Sequence, residues 1–350
     1  MDRSTEQRSR EVLANTLAPI APLMGDPAVQ EIMINGPDDV WVERSGRITR
    51  LGVQISDIQI RSAISVLARL EAKEAKEGTA DGMVDSRMEG MRVAGVLAPT
   101  AVKGHAISIR KHSPVHLSLD DYDKAGAFRS RSENESNAET TSSPDRPADT
   151  AVLRGGSSLK TFLRWMVKTR KNVIVAGGTS SGKTTFLNAL IGEFDEADRV
   201  LTIEDTPELR VRVPNWVCLE SNEQTGVTTR ALVRLALRMR PDRLLVGEVR
   251  GGEAFDLMQA ANTGHDGCLA TVHANSAYAA LSRLESLVLT SGVDWPHVAI
   301  QAEIARTFQF VVFMARRGHR RVLEEVMEVR GFSRETSAYA VQHLYRRSAS

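Results

Sequence analysis

One stretch of the chain has residue types and spacing that fit phosphate binding. Residues 177–184 match the pattern G-x-x-x-x-G-K-[ST] between an apolar run at 173–176 and an apolar segment that follows Thr184. A strand, a glycine-rich loop and a helix form the context in which backbone N–H groups and a helix N-terminus face phosphate oxygens. Lys183 is expected to reach the β- and γ-phosphates, and the Thr184 hydroxyl to hold Mg²⁺. The predicted nucleotide-binding residues are Gly177, Gly178, Thr179, Ser180, Ser181, Gly182, Lys183, Thr184 and Thr185.

Two acidic segments follow apolar runs, and hydrolysis needs carboxylates near Mg²⁺ and the attacking water. Gly247 and Glu248 follow the run 244–246. Glu248 is predicted to hold Mg²⁺ or to orient the water, and the alternative is a surface ion pair with Arg250 or Arg243. Glu204 follows the run 200–203 and is predicted to activate the water, although acids after strands also serve as turn residues.

Two histidines lie in the glycine-containing segment 263–275, one in a turn and one at a predicted strand end. His265 and His273 are eight residues apart, a spacing that does not match a zinc site on one helix face. His273 is predicted to contact the γ-phosphate or to couple the site to the next helix. The alternative for each is an ordinary hydrogen-bonded histidine.

Composition limits the classes of partner. The 350 residues include 45 basic and 44 acidic side chains, so the net charge of +1 gives no global attraction to nucleic acid, and direct DNA binding is not expected. Cys218 and Cys268 lie in apolar runs and are interpreted as buried, reduced thiols. The charged start and the absence of an apolar run of ~18 residues predict a cytoplasmic protein without a transmembrane segment.

Residues 1–117 are predicted to form a smaller N-terminal domain of mixed α/β structure. A helix is expected near 11–23 and a second at 60–76, with Ser56 or Asp57 as its cap. Strands are expected at 40–43, 48–51, 91–96 and 106–110. Residues 118–156 are predicted to be a linker, because their insertion 129–150 has no large apolar side chain.

Residues 157–350 alternate between helical patterns and apolar strands, which predicts an α/β domain with a mostly parallel sheet. A helix at 228–240 carries a row of three arginines, interpreted as a solvated face or as a contact with a neighbouring subunit. The predicted strands are 172–176, 199–203, 216–219, 243–247, 268–273 and a buried one within 308–315.

The order of these segments resembles the secretion ATPase superfamily of type II and type IV secretion and pilus systems. In that family the phosphate loop is followed by an acidic "Asp box", here 202–209, a Gly-Glu Walker B strand, here 244–248, and a "His box", here 263–275. Residues 31–37, 107–111 and 119–122 also match, and the layout looks most like the TrbB conjugal-transfer ATPases of type IV secretion. The implied fold is a RecA-like P-loop ATPase domain preceded by a smaller α/β domain.

The resemblance implies an enzyme that hydrolyses ATP with Mg²⁺, with the nucleotide bound between the two domains of a subunit. Arg110, with Arg92 or Arg87, matches the family's arginines that reach the γ-phosphate, and the alternative is pairing with local acids. The resemblance also implies a homo-hexameric ring at the cytoplasmic side of the inner membrane. Membrane-embedded proteins of the secretion apparatus would be its partners.

Other functions remain as alternatives. A pilus-assembly, type II secretion or retraction ATPase would share the chemistry, but two cysteines cannot supply the four-cysteine metal site of many type II members. A nucleotide-sensing scaffold without turnover is opposed by the intact Lys183, Glu204 and Glu248. A DNA-translocating motor is opposed by the near-neutral charge.

Overall fold

A computed structural model of the chain describes residues 11–44, 46–71, 73–88, 90–111, 117–128, 156–222, 225–318 and 320–347. The chain divides into two compact units, Met1–Val115 and His116–Ser350. The polar insertion predicted at 129–150 lies outside the described residues. No helix in these ranges is long and apolar enough to span a bilayer.

Unit 1 is a six-stranded antiparallel sheet with one long helix packed on it. The strands lie in the order β3-β2-β1-β6-β5-β4, and Ile60, Ile64 and Leu67 of the long helix are fully buried with them. The elements are α1 (11–16), α2 (Ala21–Gly25), β1 (Val29–Ile34), β2 (Val40–Arg44), β3 (Arg47–Leu51), α3 (Asp57–Leu70), β4 (Met83–Met88), β5 (Met91–Val96) and β6 (Ala106–Lys111).

The helix boundaries of unit 1 follow from caps and prolines. Ser56 caps α3 with a reciprocal capping box, in which its hydroxyl accepts from the Gln59 N–H and the Gln59 side chain accepts from the Ser56 N–H. This helix ends at Leu70 and not at 76, because the apolar spacing of its buried face stops there. The single helix expected near 11–23 is interrupted by a 3₁₀ turn at Ala18–Ile20, which contains Pro19.

Unit 2 is an eight-stranded sheet in the order β14-β13-β12-β7-β11-β10-β8-β9. The six strands from β12 to β9 are parallel, whereas β13 and β14 add antiparallel strands at one edge. Its elements are α4 (Leu119–Lys124), α5 (Gly156–Lys168), β7 (Val173–Gly177), α6 (Lys183–Ile191), β8 (Val200–Glu204), β9 (Trp216–Glu220), α7 (Thr229–Ala236), β10 (Arg243–Val246), α8 (Glu253–Asn262), β11 (Leu269–His273), α9 (Ala277–Leu289), α10 (His297–Thr307), β12 (Phe310–Arg317), β13 (Arg320–Ser333) and β14 (Ala338–Arg346).

The core of unit 2 lies on both faces of this sheet, as a parallel sheet requires. Every residue of β7, β8 and β10 is buried. Helices α7 to α10 pack with one apolar cluster, and α4, α5 and α6 pack with the other. The central strands are therefore held on both sides, and the loops at their ends rest on a fixed frame.

Part of the predicted linker packs in the core of unit 2. Leu119, Tyr122 and Phe128 are buried, and the Tyr122 ring contacts Phe186 of α6 edge-on at 5.4 Å between centroids. Asp120 is paired with α5 through Lys160 at 2.9 Å. Within 118–156, the residues around α4 thus contribute to the support of the phosphate-loop helix.

Two of the three arginines in the row on α7 are paired within the chain. Arg230 and Arg234 each place Nε 2.6 Å from a carboxylate oxygen of Asp256 in α8, which is 7% exposed. The helix ends at Ala236, short of the predicted 240. Arg230 and Arg234 therefore fasten α7 to α8, and Arg234 remains exposed to solvent while it does so.

The two cysteines differ in environment. Cys268 is buried, and burial raises its pKa to about 12, so it stays a thiol near neutral pH. Cys218 is exposed on the edge strand β9. The prediction that both are buried was wrong for Cys218, because its apolar neighbours alternate along a strand with one open side.

Candidate nucleotide site

The phosphate loop occupies the turn from β7 to α6. Gly182 has φ +90° and is the N-cap of α6, a left-handed conformation that favours glycine. Gly177 has no room for a side chain, because a β-carbon would stand 2.4 Å from the Met314 carbonyl oxygen. Lys183 Nζ donates to the carbonyl oxygens of Gly177 and Gly178 at 3.0 Å each. Thr184 and Thr185 lie in the first turn of α6.

The sheet brings the carboxyl ends of four parallel strands to one edge. Gly177 at the end of β7 is in register with His273 at the end of β11. Glu248 follows β10, and Glu204 ends β8, its direct neighbour. The crevice outside the carboxyl ends of parallel strands is where open α/β sheets bind their ligands.

Three of the predicted residues meet at this edge. His273 Nε2 lies 2.9 Å from Glu248 Oε1, and its Nδ1 lies 3.4 Å from Lys183 Nζ. Lys183 Nζ is also 3.5 Å from Nε2, so the ammonium lies beside the imidazole at nearly equal distances from its two ring nitrogens. His273 therefore lies between the phosphate-loop lysine and the Walker B glutamate.

Arg250 extends this group to the acidic segment after β8. Its Nη2 lies 2.6 Å from Glu248 Oε2, and its Nη1 lies 2.6 Å from Asp205 Oδ2. The ion pair between Arg250 and Glu248, which the sequence offered as the alternative role of Glu248, is thus present. Glu248 also contacts His273. We refer to Asp205, Arg250, Glu248, His273 and Lys183 as the edge network.

Glu204 lies beside this network and is bound to its own loop. Its Oε1 accepts from the N–H groups of Glu208 and Leu209 at 2.9 Å, and among the described residues Oε2 has no partner. A β-carbon on Gly247 would stand 2.9 Å from Glu204 Cγ, which explains why glycine precedes Glu248. The carboxylate therefore holds the loop 204–209, and its predicted role in water activation stays a prediction.

Burial raises the pKa of Glu204 to about 7, from 4.5 in the absence of the fold. Between these values the unfolded chain binds fewer protons than the folded chain, so the free energy of unfolding falls as pH rises, by roughly 3 kcal/mol in total. We expect the free energy of unfolding of Glu204→Gln to change less between pH 5 and pH 8 than that of the wild type. Urea unfolding at both pH values measures this, and the exposed Glu335→Gln is the control. An unchanged pH slope in Glu204→Gln contradicts the assignment.

The predicted arginines of unit 1 lie side by side on three strands. Arg87 of β4 is in register with Arg92 of β5, which is in register with Arg110 of β6. Arg92 is paired with Asp85 through Nη2 at 2.6 Å. Arg110 is exposed and has no ion-pair partner among the described residues. Its contact with a nucleotide stays a prediction.

Sequence reasoning missed two contacts that support the site. The Thr271 hydroxyl donates to the Gly247 carbonyl at 2.6 Å and so holds the turn before Glu248. Arg321 of β13 donates from Nε to the Ser180 carbonyl at 3.3 Å in the phosphate loop. Thr271 lies within the histidine-containing segment 263–275, which the sequence already indicated as part of the site. Arg321 lies in an arginine-rich run that contains no motif pointing to the phosphate loop.

A parallel sheet with a phosphate loop at a central strand and a glutamate after a nearby strand defines a P-loop ATPase fold. The family model described as "Type II/IV secretion system protein" matches residues 155–346, more than half of the chain. The chain therefore belongs to the type II/IV secretion system protein family.

Individual relatives agree over most of the chain. It is 30% identical to the conjugal transfer protein TrbB of Rhizobium radiobacter, covering 91% of this chain and 89% of that one. It is 33% identical to the type IV secretion system protein VirB11 of Bartonella henselae, covering 80% and 82%. The X-ray structure of the Yersinia pseudotuberculosis ATPase DotB matches with a TM-score of 0.59 and 19% identity, over 92% and 79% of the chains. This last likeness concerns the fold.

Proposed function

We propose that this protein is the ATP-hydrolysing motor of a conjugative type IV secretion system. The observation that carries the proposal is the meeting of Lys183, His273 and Glu248 at the carboxyl edge of the sheet. Relatives named for conjugal transfer and for type IV secretion, over most of the chain, support the choice of machine. Pilus-assembly and retraction motors would share this chemistry.

The site residues suit a magnesium nucleotide. Mg²⁺ prefers oxygen ligands and is usually held by one or two carboxylates together with substrate phosphates. The Thr184 hydroxyl and the Glu248 carboxylate are such donors, and Glu248 already lies in a cluster of hydrogen-bonding groups. Bound there, Mg²⁺ would neutralise charge on the phosphates. The fit of this donor set supports Mg²⁺ as the cofactor.

The chain's own residues have separable roles in this proposal. Lys183 moves from the carbonyls of Gly177 and Gly178 to phosphate oxygens, and backbone N–H groups of the loop bind the rest of the triphosphate. Glu248 orients the attacking water and draws its proton, as a carboxylate at this position can. His273 contacts both Lys183 and Glu248, so a movement of Lys183 onto phosphate would change the contact between His273 and Glu248.

The proposed assembly is a homo-hexamer on the cytoplasmic side of the inner membrane, docked on membrane-embedded proteins of the secretion apparatus. Relatives named as secretion-system proteins support this arrangement. Hydrolysis in the ring would drive relative movement of the two units. Size-exclusion chromatography with light scattering, with and without nucleotide, tests the ring against six times the chain mass of 38.4 kDa.

Nucleotide binding and hydrolysis by the purified protein test the enzyme. We expect Mg²⁺-dependent phosphate release, and Lys183→Ala to weaken the binding of a fluorescent ATP analogue about tenfold or more, because a charged hydrogen-bond donor to phosphate is lost. Lys168→Ala, at the exposed end of α5, is the matched control. Binding without any phosphate release by the wild type would favour a nucleotide-sensing scaffold instead.

A further inference from the structure

Arg321 of β13 touches the phosphate loop at two points, although it is 138 residues beyond Lys183 in the chain. Its Nε donates to the Ser180 carbonyl at 3.3 Å. Its Cδ lies 2.8 Å from the position that a β-carbon on Gly182 would take. The arginine stem therefore fills the space that the glycine leaves, and its head group binds the loop backbone two residues earlier.

Ser180 has an unusual backbone conformation for a residue with a side chain. Its φ is +58°, in the left-handed region. Residues other than glycine populate this region sparsely, and they stay there only where surrounding contacts fix them. The hydrogen bond from Arg321 to the Ser180 carbonyl is a contact of this kind.

The same bond determines where the next N–H group points. In a trans peptide the carbonyl and the following N–H point in opposite directions. With the Ser180 carbonyl turned to Arg321, the Ser181 N–H is turned into the loop, where it meets the Gly178 carbonyl at 3.4 Å. Ser181 is 2% exposed, and its hydroxyl has no partner among the described residues. N–H groups in this position of a phosphate loop bind phosphate oxygens.

We propose that Arg321 is a positioning residue for the nucleotide phosphates. It holds the peptide between Ser180 and Ser181 in the orientation that presents the Ser181 N–H to phosphate, and it offsets the strain at Ser180. Among the described residues no carboxylate lies within ion-pair distance of Arg321. The inference rests on the proposed nucleotide binding and adds a residue to that site.

The variant Arg321→Met tests the donor separately from the stem, because methionine keeps an unbranched side chain against Gly182. We expect the Kd for a fluorescent ADP analogue to rise roughly fivefold, as for the loss of one hydrogen bond. The KM for ATP should rise in parallel, with kcat within about twofold of wild type. Arg320→Met, one residue earlier on β13, is the matched control and should bind as wild type. The unfolding temperature of the nucleotide-free protein should fall by no more than about 4 °C, as for the loss of one hydrogen bond.

Introducing Arg321→Met into the Ser180→Gly variant distinguishes a positioning role of Arg321 from a general packing role. In Ser180→Gly the left-handed conformation needs no support, so Arg321→Met should cost less affinity there, about twofold or less. If Arg321→Met lowers nucleotide affinity equally in both backgrounds, the role of Arg321 is overturned and the proposed function is not. The same holds if affinity falls in neither background while the wild type binds nucleotide. Absence of nucleotide binding by the folded wild type would overturn the proposed function and this inference with it.

Discussion

The variant Glu248→Gln is expected to lower steady-state phosphate release about a thousandfold while binding nucleotide within about threefold of wild type. Glutamine has the shape of glutamate and can still hydrogen-bond to His273 or Arg250, so the edge network keeps its geometry. It cannot accept a proton from water or attract Mg²⁺ with a full charge. The loss should therefore fall on kcat and leave the binding step nearly unchanged.

The matched control for this variant is Glu220→Gln. Glu220 ends β9, in register with Glu204 at the same edge of the sheet, and it is exposed. Its charge is thus close to the site without belonging to the edge network, and phosphate release should stay within about twofold of wild type. Turnover in Glu248→Gln within tenfold of wild type would remove Glu248 from the chemistry.

The variant Asp198→Ala is expected to lower the free energy of unfolding by about 3–5 kcal/mol. Asp198 and Arg243 are 2% and 3% exposed, and the carboxylate lies 2.5 Å from Arg243 Nε. Burial lowers the pKa of Arg243, and the Asp198 carboxylate opposes that shift. Removing the carboxylate leaves a buried cation whose Nη1 has no hydrogen-bond partner among the described residues.

Thermal unfolding measures this loss as a fall in midpoint of roughly 10 °C for a unit of this size. The exposed Glu196→Gln, two residues earlier, is the matched control and should shift the midpoint by less than about 2 °C. The double variant Asp198→Leu with Arg243→Met should recover part of the loss, because an apolar pair needs no charge compensation. Arg170, which also pairs with Asp198 at 2.6 Å, is partly exposed and can be solvated when that partner is lost. A midpoint within about 3 °C of wild type in Asp198→Ala would contradict the assignment.

The strands of unit 2 could be predicted where they are buried on both faces. β7, β8, β10 and β11 appear in the sequence as short apolar runs bounded by charged or glycine residues, and the structure confirms them within about one residue. β13 and β14 were not predicted, because their antiparallel edge mixes charged and apolar side chains. The helix predicted at 60–76 extends beyond the observed end of α3 at Leu70. The alanine, glutamate and lysine residues that follow favour a helix but do not supply a buried face.

The residue types of the site could be predicted, but their contacts could not. The order of strands in a sheet is not contained in local patterns, and it alone makes His273 a neighbour of Lys183 and Asp205 a neighbour of Arg250. Glu204 shows the same limit. Its position at the end of an apolar run could be predicted, whereas its hydrogen bonds with the N–H groups of Glu208 and Leu209 could not.

The edge network has a consequence for how this sequence can vary. Each of its five side chains touches a member from a different motif, from Asp205 through Arg250, Glu248 and His273 to Lys183. Contacts of this kind make mutational effects non-additive, so the outcome of a change at one position depends on what stands at the next. Substitutions here are therefore epistatic, and single-position scanning will misjudge which combinations the protein can tolerate.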